Sequence, residues 1–416
     1  YSSCNTHLRK ILVRLSTEQS NRSNRSQLQW HRLPACDLRR PLFEFDIKLS
    51  QPGRLLLLAV LALSGAMLLA GCDLRYFAHA AYEEGHLLWN RQPIADVLQK
   101  PDLSPAIRER LETVLAVRKF ASDDLGLRVG GAYRTITSVD ENAVVWVVMA
   151  APRDSLTPYL WWFPIVGYVP YKGYFKRLRA QAEAHRLEKA GYDTLVRPAI
   201  AFSSLGFFND PVLSNLLELN RVELAGVLIH ELFHRTYFLK SDVMFDESSA
   251  NWIGNRGAMD FFDRTEGANS RDAIAARAIY DSDMKFAAFL LQAESKLLKL
   301  YQSGLPHDQI LKRRPAVFAE IQADYARLKP NLSGLERFNL DKQQLNNAVL
   351  LNYMIYFHDL DNFTKLERMH NGDTRATIKS IIKLAKSEPA DPFHAIWKAT
   401  WNSRPDAGTT AANTTQ

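Results

Sequence analysis

Arg221-Val222-Glu223-Leu224-Ala225-Gly226-Val227-Leu228-Ile229-His230-Glu231-Leu232-Phe233-His234-Arg235-Thr236-Tyr237 lies in the middle of this 416-residue chain. Val222, Ala225, Ile229, Leu232 and Thr236 recur at helical spacing and form one apolar stripe, so the segment reads as a half-buried helix. Gly226 works against it by about 1 kcal/mol relative to Ala. His230 and His234 stand four apart, so their imidazoles leave one face a turn apart, beside the stripe, where a cleft can open. Two imidazoles so placed can ligate one zinc ion. Glu231, next to the first, is then positioned to take a proton from a metal-bound water. The plainer reading is a pair of ordinary histidines on a half-buried helix.

A catalytic zinc of this kind needs a third protein ligand and an open position for water. A further histidine six residues after His234 would mark the metzincin pattern, but that place holds Lys240, and Tyr237 replaces the glycine before it. That class is excluded. Phe245-Asp246-Glu247-Ser248-Ser249-Ala250-Asn251-Trp252-Ile253 reads as the start of a second helix with an acid in its first turn. Glu247 there is the gluzincin arrangement, a glutamate on the next helix closing the metal triad. Asp246 and Asp242 are the alternative third ligands. Asn251, one turn after Glu247, is placed to orient a ligand or simply to face solvent.

The front of the chain carries a different signal. Arg54 precedes an apolar run from Leu55 to Leu69 that ends in Leu69-Ala70-Gly71-Cys72. A cation, an apolar run short for a membrane span, and small residues before cysteine are the marks of a bacterial lipoprotein signal peptide. Residues 51–71 are therefore expected to be removed, leaving Cys72 as a lipidated first residue in a bilayer; a retained span is the alternative. Asp73, directly after it, favours the inner membrane, facing the periplasm. Residues 1–50 begin with Tyr and contain no Met, and are expected to be an extension outside the fold.

This division reassigns the charge. The chain carries +7, yet residues 1–71 hold ten Lys/Arg and four Asp/Glu, which leaves 42 against 41 from Cys72 onward, a net of +1. A nucleic-acid-binding reading loses its basis. Cysteine usage fits export: of Cys4, Cys36 and Cys72 only the last lies in the expected mature chain, so no disulfide framework or cysteine metal site is available.

From Cys72 to residue 403 one peptidase domain is expected, followed by a small, polar, disordered tail over 404–416. The pattern predicts a helix over 106–121, then a β-hairpin of Ala132–Thr137 and Ala143–Ala151 turning at Asp140-Glu141-Asn142. It continues with a helix over 174–190, a strand over 194–202 and a turn at Asn209-Asp210-Pro211. Helices over 271–301, 307–328, 342–357 and 374–386 follow the metal-motif helix. Few strands and then many helices make an α+β fold: a small antiparallel sheet, a predominantly helical body and a zincin-like helix pair. The strand over 194–202 is placed to be the sheet edge on which an extended peptide binds. The aromatic stretch from Trp161 to Phe175, with two prolines and two glycines after Phe163, reads as a rigid loop or bent hairpin belonging to the core or walling a pocket.

Several blocks in this order resemble the bacterial putative aminopeptidase family of predicted zinc-dependent lipoproteins. They are Leu69–Cys72, Trp162-Phe163-Pro164-Ile165-Val166-Gly167 with Tyr171-Lys172-Gly173-Tyr174-Phe175, Ser203–Ser214, His230–His234, Phe245–Ala250 and Leu345-Asn346-Asn347-Ala348. The resemblance runs from the lipobox to about residue 385. It implies one Zn2+ bound by His230, His234 and Glu247, with Glu231 as catalytic acid/base and a peptide as substrate. Two departures stand out: Asp246 where the family has Asn, and a charged Arg235 where zinc peptidases prefer an uncharged residue. The oxyanion needs a further donor from a later helix, for which Tyr356 is the candidate and Tyr353 and His358 the rivals. The competing functions are a zinc endopeptidase and a non-catalytic envelope lipoprotein with a structural or vestigial zinc site.

Overall fold

The computed structural model describes Gly85 and residues 88–139, 145–163, 165–199, 209–334 and 338–402. Cys72, the apolar run before it and the 404–416 tail lie outside the described residues.

A two-residue strand β1 (Gln92–Pro93) and a single turn α1 (Ile94–Val97) lead into α2 (Pro105–Asp123), whose Ser104 accepts from the Ile107 N–H. Strands β2 (Thr135–Thr137), β3 (Val145–Pro152), β4 (Trp161–Phe163), β5 (Gly167–Val169) and β6 (Tyr171–Tyr174) follow, then α3 (Arg177–Lys189), β7 (Tyr192–Ala199) and β8 (Val212–Leu213). The helical body is α4 (Arg221–Thr236), α5 (Val243–Glu266), α6 (Arg271–Tyr301), α7 (His307–Leu328), α8 (Asn347–Phe357), α9 (Leu360–Met369), α10 (Thr374–Ser387) and α11 (Pro392–Asn402). Among the described residues no helix is long and apolar enough to cross a membrane.

The fold is α+β as expected, with three corrections. The anticipated hairpin of residues 132–151 does not form. β2 pairs with β1 antiparallel and β8 parallel, while β3 takes β6 and β7 on its two sides, both antiparallel. The reason is the apolar content of β3: Val147 to Ala151 are all buried, so both faces and both edges need cover. The strands thus form three small sheets rather than one. Finally, Tyr174 belongs to β6 rather than to a helix, and α8 starts at Asn347 because the Asn346 side chain caps it, accepting from the Val349 N–H at 2.9 Å.

Alternation along β3 builds the layers. Val148 and Ala150 face α3, meeting Ala180, Ala184 and Leu187. Val147, Met149 and Ala151 face the helical body and its main core. On that inner face Tyr171 of β6 and Leu195 of β7 flank Met149, and Gly173 and Arg197 flank Val147. Two inward polar side chains, Tyr171 and Arg197, are thereby aimed at the helices.

Candidate metal centre

The metal-motif helix α4 starts where the Asn220 side chain accepts from the Glu223 N–H at 3.0 Å. Its burial is wider than one stripe, because Leu224, Leu228 and Phe233 are buried as well as Val222, Ala225, Ile229 and Leu232. After the turn at Tyr237–Asp242, α5 returns along it, capped by Asp242, which accepts from Phe245 N–H at 3.2 Å. The two helices approach closely enough that Gly254 rests against the Gly226 carbonyl and the His230 Cβ. This crossing brings Glu247 to the histidines.

The three side chains converge. His230 Nε2 lies 3.1 Å from Glu247 Oε2 and 3.0 Å from His234 Nε2, and His234 Nε2 is 3.4 Å from the same carboxylate oxygen. A tetrahedral ion with ligand distances of about 2.0–2.1 Å spaces its ligands about 3.3 Å apart, close to these three edges. His230, His234 and Glu247 together form a group able to hold a metal ion. The donor set, two imidazoles and a carboxylate, suits such an ion. His234 Nδ1 is buried without a hydrogen-bond partner, as is Asp246 Oδ2, and these two residues attract each other electrostatically.

Charge in the cluster follows from burial. Burial disfavours a charged His234, yet the Glu247 carboxylate holds its imidazolium up at about 9. Burial likewise opposes ionised Glu247, but the two imidazoles keep its carboxyl well below the usual range. Glu231 is raised by burial, against the pull of His230 and His234. Tyr133, in left-handed backbone at φ 56°, sits on the Glu231 side; burial first and then the charges of Glu231 and Asp210 push its phenol well above the ordinary value.

The alternative ligands have other tasks. Asp242 is the cap of α5. Asp246, 1% exposed, accepts the Leu239 N–H at 2.8 Å, and burial pushes its carboxyl up to about 8. Arg235, the charged departure, donates to Asn209 Oδ1 at 3.1 Å. Asn251 donates to the Tyr356 carbonyl at 3.0 Å, so it orients the end of α8 rather than a ligand.

A family model described as "Putative aminopeptidase" matches residues 75–395, most of the chain. The chain belongs to this aminopeptidase family. No curated protein and no solved structure matches it.

The expected helper on α8, Tyr356, is near the cluster. The Tyr356 ring lies 6.3 Å from that of His230 between centroids, and Arg197 Nη2 donates to its hydroxyl at 3.2 Å. Burial and the Glu247 charge push that hydroxyl up to about 12, with Arg197 opposing. The rivals are elsewhere: Tyr353 stacks edge-on against Phe286 and His358 against Phe393. Sequence reasoning did not assign Tyr171, which donates from its hydroxyl to Glu247 Oε1 at 3.3 Å, or Arg197, which also donates to Asn352 Oδ1. Only their strands gave a hint. β7 is an edge of its sheet and reaches the site through Arg197, while residues 200–202 of the expected strand lie outside the described residues.

Proposed function

We propose that the protein is a zinc-dependent aminopeptidase held at the bacterial cell envelope by acylation of Cys72. The observation that carries the catalytic reading is the convergence of His230, His234 and Glu247 beside the half-buried Glu231. Zinc bound by these three residues would supply a Lewis acid for the scissile carbonyl and acidify the attacking water.

The protein's own groups do the rest. Glu231, made more basic by burial, accepts the proton of the attacking water and delivers it to the leaving amine. The Tyr356 hydroxyl, held by Arg197, donates to the charge developing on the carbonyl oxygen. The peptide lies extended along β7, where backbone hydrogen bonds hold it. Tyr171 fixes the outer oxygen of Glu247 and leaves the inner one facing the histidines. Asp73 after the acylated cysteine favours the inner membrane, facing the periplasm.

Metal analysis together with Glu231→Gln tests this reading. The variant should keep one zinc and lose peptide cleavage; full cleavage by it would remove Glu231 from the mechanism. Aminoacyl amides run beside internally quenched peptides separate an aminopeptidase from an endopeptidase, and no cleavage of either leaves a non-catalytic metal protein. Acyl mass on the peptide beginning at Cys72, lost in Cys72→Ser, tests the anchor.

A further inference from the structure

β4 and β5 form a two-stranded hairpin whose faces are unlike. Trp161 pairs with Val169, and both are buried. Trp162 pairs with Tyr168 on the opposite face, and these are 58% and 54% exposed; Ile165, at the turn, is 61% exposed. The hairpin is fastened down. Ser241 N–H donates to the Val166 carbonyl and Ser241 Oγ accepts from Tyr168 N–H, both at 3.1 Å. Gly167, at φ 80°, leaves the space that Ser241 Oγ fills. Two large aromatic side chains and an isoleucine are thus held outward on a fixed support, away from the buried face.

Charge along the sequence of the hairpin and the start of α3 is one-sided, and the acid that reaches the hairpin, Glu183, is on its buried side at Trp161 and is paired with Arg186. No Asp or Glu occurs from Ser155 through Ala182, while Lys172, Lys176, Arg177 and Arg179 do, in a chain otherwise balanced from Cys72 onward. Exposed Lys240 packs its stem beside Gly167, and α3, which follows Lys176 and carries Arg177 and Arg179 in its first turn, packs against Trp161. Trp and Tyr rings are amphipathic and favour the headgroup region of a bilayer, and Lys and Arg beside them favour anionic lipid.

We propose that this hairpin is a membrane-interface contact: Trp162, Ile165 and Tyr168 enter the headgroup region of an anionic bilayer, with Lys240 against the headgroups. The proposal rests on this surface chemistry and not on the acylation proposed above.

The test is a polarity-sensitive fluorophore on Ile165→Cys in the full chain, with the equally labelled parent as background. Phosphatidylcholine vesicles with and without phosphatidylglycerol are compared. The expected result is a blue shift and at least threefold protection from iodide quenching on the anionic vesicles, lost when Trp162→Ser and Tyr168→Ser are added. Unchanged quenching on vesicles overturns the proposal, as does equal protection on neutral vesicles. A shift caused by a soluble peptide instead of vesicles overturns it too and makes the hairpin a substrate wall. Hydrolysis of a short soluble peptide by the Ser variant should match the parent, so failure of the hairpin and failure of the catalytic reading are read separately.

Discussion

Tyr171 and Glu247 are 76 residues apart in sequence, yet the tyrosine hydroxyl donates to carboxylate Oε1 at 3.3 Å while Oε2 faces both histidines. A carboxylate fixed at one oxygen offers the other in a single orientation, which favours one-oxygen ligation and lowers the entropy lost on binding an ion.

Tyr171→Phe should therefore weaken zinc binding by about 10- to 100-fold, the usual effect of losing an outer hydrogen bond to a ligand. Competition against a chromogenic chelator measures it, with far-ultraviolet circular dichroism as the check that the fold persists. Unchanged affinity would mean that Oε1 needs no donor.

Two glycines at the α4–α5 crossing should respond in opposite directions. A Cβ on Gly254 would sit 2.6 Å from the Gly226 carbonyl oxygen and 3.2 Å from the His230 Cβ, so alanine there forces the helices apart. Overpacking of this kind costs about 1–3 kcal/mol. A Cβ on Gly226 meets nothing nearer than 3.6 Å, so Gly226→Ala should gain up to about 1 kcal/mol of helix propensity. Urea unfolding of the two variants gives the order, and zinc affinity should fall only in Gly254→Ala.

That contrast marks what the sequence could carry. Gly226 was visible as a weakness of α4, but the glycine that permits the crossing is Gly254, and no local pattern says which surfaces meet. The helix itself, its two histidines and the helix bearing Glu247 were legible because helical spacing is local, whereas the caps Asn220 and Asp242 became plain only in the structure. The partners of β3 were not: a strand apolar on both faces announces burial without naming its neighbours. Tyr171 and Arg197 were hidden for the same reason, since each acts on a residue brought up by the fold, Glu247 and Tyr356. The left-handed backbone at Tyr133 has no sequence signature at all.

Tyr356 and Arg197 should separate by the size of their effects. Tyr356→Phe removes the donor and should lower kcat by about 100- to 1000-fold with zinc content unchanged. Arg197→Met leaves the hydroxyl in place but unheld, so a smaller fall in kcat is expected, partly restored by Arg197→Lys. Equal zinc content in all three variants is required, because neither side chain belongs to the converging triad. A Tyr356→Phe enzyme with parental kcat would reassign the oxyanion donor, and Tyr133 or Tyr171 would be examined next.

Chelation should lower stability without unfolding the chain. Around the triad α4 and α5 bury Ile229, Leu232, Phe233, Phe245, Trp252 and Ile253, and each such side chain contributes about 1.5–3 kcal/mol through burial. That packing does not depend on an ion. In addition, the attraction between His234 and Glu247 holds part of the cluster together in the metal-free protein. Zinc at about 100 times its Kd adds about 2.7 kcal/mol by mass action, equivalent to roughly 4 °C in Tm for a domain of this size. Scanning calorimetry with a chelator and after zinc is restored should trace that shift reversibly, with unchanged circular dichroism at 25 °C. Loss of helical signal on chelation would instead make the metal a condition of folding, as in a structural site.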